Sequence, residues 1–318
     1  MLSLEEYWVW DSWYLHDGDR WHCWFLKAPK SIADPELRHW NVSHGHAVSD
    51  DLVHWQHLGT SIKPSDAPAW DDYTTWTGCV VPRDDGRWQS FYTGTCRSEN
   101  GKLQRIGQAI SPDLETWERV DGGLCLDLQG ANAECYETDW QGQWHDRAMR
   151  DPWVMKDPDS DDWLMFFTAR SAHVAEANDA GCIGFATSAD LNNWQLQAPV
   201  FTGGWGQLEV PQVFEYQGYW YCLFCMDPLH QAQWNIEKNG PIGRGNHYLM
   251  ADHPRGPWRL PDGAGLDTKH QRYAARIVEH DGLKILGFKD GEGEQFGGYI
   301  MDPAPVFQRS NGLLSLEP

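Results

Sequence analysis

The stretch Ala148-Met149-Arg150-Asp151-Pro152-Trp153-Val154-Met155 opens a strand near the middle of a 318-residue chain. Two other strands open on an acid in the same manner. One is Trp10-Asp11-Ser12-Trp13-Tyr14-Leu15, near the start. The other is Leu208-Glu209-Val210-Pro211-Gln212-Val213-Phe214. A repeat makes these three positions equivalent. His46-Ala47-Val48-Ser49-Asp50-Asp51-Leu52-Val53-His54-Trp55 returns as Gln108-Ala109-Ile110-Ser111-Pro112-Asp113-Leu114-Glu115-Thr116-Trp117. It returns again as Phe185-Ala186-Thr187-Ser188-Ala189-Asp190-Leu191-Asn192-Asn193-Trp194, and in degenerate form from Leu249 to Trp258. Each copy reads as a strand of small and apolar residues, a polar turn, and a Trp that opens the next strand.

A turn followed by an aromatic strand precedes each copy, as in Gly18 to Leu26, Asp85 to Tyr92, Asp161 to Phe167 and Gln217 to Phe224. A fifth hairpin runs from Asp281 to Phe288. Five such units over the chain give about 64 residues each. The inner strands are predicted at Asp11 to Leu15, Thr75 to Pro82, Asp151 to Lys156, Glu209 to Tyr216 and Tyr273 to Glu279. A fourth strand is predicted after each Trp turn, such as His54 to Leu58 and Thr116 to Val120. Four antiparallel strands repeated five times predict an all-β, five-bladed β-propeller. A sandwich would show seven to nine short strands without this repeat. The expected organisation is one propeller over residues 1–318 with no C-terminal β-sandwich. The excursion from Asp121 to Arg147, rich in Gly, acids and Trp, reads as a loop near the mouth of the site that shapes its subsites.

The first strand of a propeller blade lines the central channel. Asp11, Asp151 and Glu209 at equivalent blade positions are therefore expected to converge. Carboxylates that close cannot all ionise freely, so at least one is held protonated. Hydrolysis of a glycosidic bond needs such a set, with one acid to protonate the leaving oxygen and one ionised group as nucleophile or base. Capping acids at turns are common, but three at matching positions are not explained that way. Pro152 and Pro211 fix the backbone beside two of them. Arg150 reads as a donor to sugar hydroxyls in preference to a structural ion-pair partner.

On these residues the chain resembles the five-bladed propeller glycoside hydrolases of the invertase and levansucrase clan, families 32 and 68. Trp10-Asp11-Ser12-Trp13 looks like the nucleophile motif of family 68. Arg150-Asp151-Pro152 resembles the transition-state stabiliser motif of both families. Glu209-Val210-Pro211 is similar to the acid/base segment of family 32, where a Cys usually follows the Glu. His46 to Trp55 looks like a first-blade signature of family 32, and Trp76-Thr77-Gly78 resembles a substrate-binding segment. The resemblance implies Asp11 as nucleophile, Asp151 as transition-state stabiliser and Glu209 as general acid/base. It implies Trp10, Trp76, Thr77 and Arg150 around the fructosyl unit, with Tyr273 a further candidate. The activity implied is a retaining β-fructofuranosidase, with transfer to acceptor sugars, on sucrose or short fructosides. Family 43 propellers share the fold and an Asp, Asp, Glu triad, so an inverting arabinofuranosidase- or xylosidase-like hydrolase stands as the alternative. A non-catalytic carbohydrate-binding propeller is the alternative of another class.

Composition bounds the partners. Lys and Arg number 25 against 46 Asp and Glu, a formal net charge of −21. That disfavours nucleic acid and anionic membranes as partners and suits a small, neutral carbohydrate. The 20 Trp supply core volume, and some are expected to stack on sugar faces. Cys222 and Cys225 form C-x-x-C inside a strand, where residues three apart point to opposite faces, so neither a zinc nor a redox pair is expected. Free core thiols, no visible signal peptide and no apolar run of membrane length predict a cytoplasmic protein. No organic cofactor or catalytic metal is expected, although a structural cation in the channel is compatible with the pattern. Nothing in the pattern sets an oligomeric state.

Overall fold

The repeated Ser-x-Asp-Leu-x-x-Trp turns the chain by the same Ser–Asp and Asp–backbone bonds each time. In the first copy Ser49 Oγ donates to Asp51 Oδ1 at 3.1 Å. That oxygen also accepts the backbone N–H of Val53 at 2.9 Å and of His54 at 2.8 Å. Asp113 accepts from Glu115 and Thr116 in the second copy, and Asp190 from Asn192 and Asn193 in the third. Leu52, Leu114 and Leu191 between them adopt φ values of +63°, +66° and +66°. A left-handed Leu costs roughly 1–2 kcal/mol. Complete burial of all three side chains offsets this. The Trp55 and Trp194 indoles then donate to the Leu52 and Leu191 carbonyls, each at 3.0 Å.

The computed structural model describes residues 1–139, 147–262, 265–268, 272–292 and 295–318. Blade one is β1 (Tyr7–His16), β2 (Trp21–Pro29), β3 (Ser43–Ser49) and β4 (Gln56–Thr60). Blade two is β5 (Thr74–Pro82), β6 (Trp88–Thr95), β7 (Arg105–Ser111) and β8 (Leu124–Leu126). Blade three is β9 (Met149–Lys156), β10 (Trp163–Arg170), β11 (Gly181–Ser188) and β12 (Gln195–Thr202). Blade four is β13 (Glu209–Tyr216), β14 (Tyr219–Met226), β15 (Gly245–Ala251) and β16 (Gly265–Asp267), with one short helix, α1 (Gln233–Asn239), before β15. Blade five pairs β17 (Arg272–Glu279) with β18 (Leu283–Lys289) and then Ala304–Pro305. Ile300 bridges Phe288, and Leu2 bridges Ile300 through two backbone bonds of 3.0 and 2.9 Å. The start of the chain thus forms the outer edge of the last blade and closes the ring, as in the five-bladed propeller predicted from the repeat.

The aromatic second strands are buried on both faces, which is why they read as continuous apolar runs. Along β10, Met165 and Phe167 pack toward blade two with Phe91 and Ile106. Leu164 and Phe166 pack toward blade four with Val213 and Phe224. The same alternation separates Cys222, in the cluster against blade three, from Cys225, in the cluster with blade one. All eight cysteines are free thiols. No helix among the described residues is long and apolar enough to cross a membrane.

Two predicted outer strands move. The first lies at Gln56–Thr60, two residues beyond His54 to Leu58. In blade two, Thr116 to Val120 contributes only the bridge of Glu118 to Ile110, and the outer strand forms at Leu124–Leu126. Positive φ at Asp121, Gly122 and Gly123 interrupts the chain between them.

Glycines in the third strands make room for second-strand aromatics. A Cβ on Gly184 would lie 2.2 Å from the Phe167 ring, and one on Gly45 would lie 2.2 Å from Phe25. Phe167 is fully buried and has no space to retreat. Gly184→Ala should therefore destabilise the fold by about 1–3 kcal/mol, the usual range for overpacking. Urea unfolding checks this, and an unchanged midpoint would show that the blade interface repacks freely.

Candidate active site

Every inner strand breaks its pairing at one position. The irregularities fall at Asp11 in β1, Thr77 in β5, Asp151 and Pro152 in β9, Val210 and Pro211 in β13, and Ala274 and Ala275 in β17. A bulge inserts an unpaired residue and re-aims side chains, and it is here that the functional side chains gather. The sequence placed each acid at the start of its strand. The structure places Asp11 inside β1, which starts at Tyr7, because Tyr7 to Trp10 pair with β2 before the bulge. Asp151, Val210 and Ala274 have φ of +58°, +55° and +45°. A β-branched Val there is a costly outlier held by its surroundings. Pro152 and Pro211 sit where the ladder asks for no donor.

Asp11, Asp151 and Glu209 line one pocket of about 420 Å³, as predicted from their blade positions. Asp151 is 3% exposed. Its Oδ2 accepts from Thr168 Oγ1 at 2.9 Å and from the Val210 N–H at 3.1 Å, so the strained bulge of β13 helps fix the acid of β9. Burial pushes its carboxyl above the usual range, Arg150 opposes this, and Glu209 adds to it. Asp11 accepts one bond, from Thr77 Oγ1. Burial first, and then the Asp151 charge, push its carboxyl up to about 7. The site thus retains a proton near neutrality, as like charges in a low-dielectric pocket require. Glu209 is partly open, with a side chain 26% exposed. Tyr273 donates to its Oε2 at 2.6 Å and Arg150 Nη2 to its Oε1 at 2.9 Å.

Arg150 is bound on several sides. It reaches Gln207 at 2.6 Å and Glu209 at 2.9 Å, and its Nε lies 3.5 Å from Asp151. The ion-pair role that the sequence reading ranked second to sugar binding is present, since Arg150 bridges two acids. Tyr273 is 9% exposed and lines the pocket. Trp10 is buried in the wall, its ring edge-on to His39 at 5.9 Å. Trp76 donates to the His39 carbonyl at 2.9 Å and lies 5.8 Å from Trp40, forming an apolar platform beside the acids. All eight predicted site residues line the same pocket.

Sequence reasoning missed Arg38, His39, Trp40, Asp227, His230, Arg244 and Asp290, which also line it. Their one available signal was position: all follow a second strand of a blade, at the end where the inner strands carry their acids. It also missed Arg276, fully buried beneath the pocket, which donates to the Val210 and Pro211 carbonyls at 2.9 and 2.7 Å. Arg276 therefore pins the β13 bulge, and its charge draws the Asp11 carboxyl down against the burial. The Asp121 to Arg147 excursion does not act as expected over its described part. Residues 121–139 contribute nothing to the pocket lining, because Tyr136 is buried against blade three with its hydroxyl on the Gln197 carbonyl at 2.7 Å. Trp140 and Trp144 lie outside the described residues. Among the described residues, one cluster has metal-type ligands, Asp157, Asp159 and His253. It lies beyond the far end of β9, and its groups already bond Arg255, Ser160 and one another.

Comparison with known proteins places the chain in a family. Raffinose invertase of Escherichia coli is 27% identical over 94% of this chain and 60% of its own length. Sucrose-6-phosphate hydrolase of Escherichia coli is 25% identical over 95% of this chain and 60% of its own length. The chain thus spans 60% of the length of each of these relatives. An inulosucrase from Halalkalicoccus jeotgali, solved bound to kestose, superposes with a TM-score of 0.76. It covers 96% of this chain and 87% of that one, at 22% identity, and so shares the fold. The family model of the glycosyl hydrolases family 32 N-terminal domain matches residues 12–281, a span that begins one residue after Asp11, includes Asp151 and Glu209 and ends within blade five, and the chain belongs to that family.

Proposed function

We propose that this propeller is a retaining β-fructofuranosidase acting on sucrose or short fructosides, with transfer to acceptor sugars as a second outcome. The observation that carries this reading is the convergence of three carboxylates in one pocket with unequal wiring. Glu209, open to solvent and bonded by Tyr273, protonates the glycosidic oxygen as it leaves. Asp11, ionised, attacks the anomeric carbon and forms a covalent fructosyl ester. Asp151, whose Oδ2 is held by Thr168 and Val210, binds the fructosyl hydroxyls as positive charge grows on the ring. Water or an acceptor sugar then gives its proton to Glu209 and displaces Asp11, so configuration is kept after two inversions. Trp10, Trp76 and Thr77 form the wall around the fructosyl unit, and Arg150 holds Glu209 in reach of both steps. The relatives' names divide between neutral and phosphorylated sugars, raffinose and sucrose-6-phosphate. Free thiols throughout the chain fit work in the cytoplasm.

Proton NMR of the purified protein with sucrose, and separately with an arabinofuranoside, tests this. The expected result is glucose released from sucrose and fructose first appearing as the β-anomer. Arabinose released with inverted configuration would move the protein to the family 43 chemistry. Binding of fructosides without any turnover would make it a carbohydrate-binding propeller.

A further inference from the structure

The two Escherichia coli relatives are matched at nearly the same identity and coverage, so similarity does not choose between a neutral and a phosphorylated leaving sugar. The charge around the leaving-group side of the pocket does. This rests on the fructosidase reading, in which Glu209 protonates the leaving oxygen. Tyr273 is bonded to Glu209 at 2.6 Å, so the leaving sugar lies beside both. The Arg244 guanidinium covers the Tyr273 ring at 4.6 Å from its centre. Arg244 is engaged on two sides. Its Nε donates to Asp290 Oδ2 at 2.6 Å, its Nη2 reaches Asp290 Oδ1 at 3.4 Å, and its Nη1 donates to Asp227 Oδ2. Asp227 directly follows β14 and Asp290 directly follows β18, so two rigid strand ends hold this unit.

The pocket as a whole carries five carboxylates, Asp11, Asp151, Glu209, Asp227 and Asp290, against the guanidinium groups of Arg38, Arg150 and Arg244. Each guanidinium already has a carboxylate partner: Glu36 at 3.2 Å for Arg38, Glu209 at 2.9 Å for Arg150, and the two aspartates for Arg244. No lysine is among the described lining residues, and Lys102 and Lys289 lie outside the lining. A phosphate dianion on the leaving sugar would have to displace Asp227 or Asp290 from Arg244 while facing Glu209. Sugar hydroxyls meet no such cost. They donate to carboxylates and accept from the guanidinium fork.

We infer that the Asp227–Arg244–Asp290 unit selects β-fructosides with an uncharged leaving sugar and rejects those with a phosphate on it. The carboxylates supply the repulsive element that discrimination of this kind requires.

The test compares kcat/KM for sucrose and for sucrose-6-phosphate, at low salt and in 0.5 M NaCl. Sucrose is expected to be favoured by roughly 30-fold or more at low salt, with a smaller ratio in high salt as the repulsion is screened. Asp290→Asn should reduce the ratio several-fold. Equal or faster turnover of the phosphorylated sugar would overturn the inference, and so would an Asp290→Asn ratio identical to the parent's. Calorimetric binding of both sugars to Asp11→Asn gives a readout independent of turnover. Tighter binding of sucrose supports the inference, and tighter binding of the phosphorylated sugar overturns it. Failure to hydrolyse either sugar would count against the fructosidase reading alone, and the binding ratio would still decide the charge selection.

Discussion

Asp11→Asn is expected to lose activity on sucrose by about 10⁴-fold or more, because an amide cannot form the fructosyl ester. The same variant is expected to be more stable than the parent at pH 8. A carboxyl pushed up to about 7 in the folded protein binds its proton more tightly there than in the unfolded chain, where it titrates near pH 4. The cost of the buried charge is therefore absent below pH 4, develops between pH 4 and 7, and is complete above 7. Asn carries no charge and should restore about 1–3 kcal/mol at pH 8, after allowance for the pocket's access to water. Thermal unfolding of parent and variant at pH 5 and pH 8 measures this. A stability difference of the same size at both would show that Asp11 is not held near neutrality. The sign for catalysis follows from the same shift. Attack needs ionised Asp11, so kcat/KM should fall as pH drops below about 7. The Asp151 charge is a principal cause of the shift, after burial. Residual activity of Asp151→Asn should therefore show its acid limb at lower pH.

Glu209→Gln should lower kcat/KM on sucrose by roughly 10²–10⁴-fold, the usual yield of a positioned general acid. Loss of the acid matters only when the leaving oxygen needs a proton. Fructosyl fluoride, whose fluoride leaves without a proton, should therefore keep most of its rate of ester formation. Breakdown of the ester still needs Glu209 as base, so the fluoride should give a burst of one equivalent followed by slow turnover. Added azide, a nucleophile that needs no base, should speed that slow phase. Equal loss on both substrates with no burst would remove Glu209 from the proton-transfer role and leave it as a binding group. The wiring sharpens the contrast with Asp11. Tyr273 and Arg150 hold the two oxygens of Glu209 separately, so the isosteric amide keeps its place when its oxygen accepts from Arg150 and its NH2 donates to the Tyr273 hydroxyl oxygen.

Much of the fold was legible because the propeller's instructions are local. The Ser-x-Asp-Leu-x-x-Trp turn closes through bonds between residues at most four apart, and three near-copies of it make the repeat visible. The aromatic second strands announce themselves because both of their faces are buried. Given five units, the equivalence of Asp11, Asp151 and Glu209 follows from blade position, and so does their meeting at the axis. Blade closure by Leu2 and Ile300 had no such mark, since two short pairing segments at opposite ends of the chain show no pattern of their own.

What the tertiary structure alone decided is the chemistry's fine setting. Bulges in the inner strands depend on register against a second strand, and a one-residue pairing shift leaves no trace in composition. That is why Asp11 was placed at the head of its strand and lies inside it. Asp227, Arg244 and Asp290 come from two blades, and Arg276 reaches the β13 bulge from β17, so only the closed ring brings them to the pocket. The acid shifts themselves arise from desolvation by the assembled walls, a property of no single segment. Local hydrogen bonds and side-chain alternation determined the blades from the sequence. Long-range packing and the electrostatics of the enclosed pocket determined how three ordinary carboxylates came to differ.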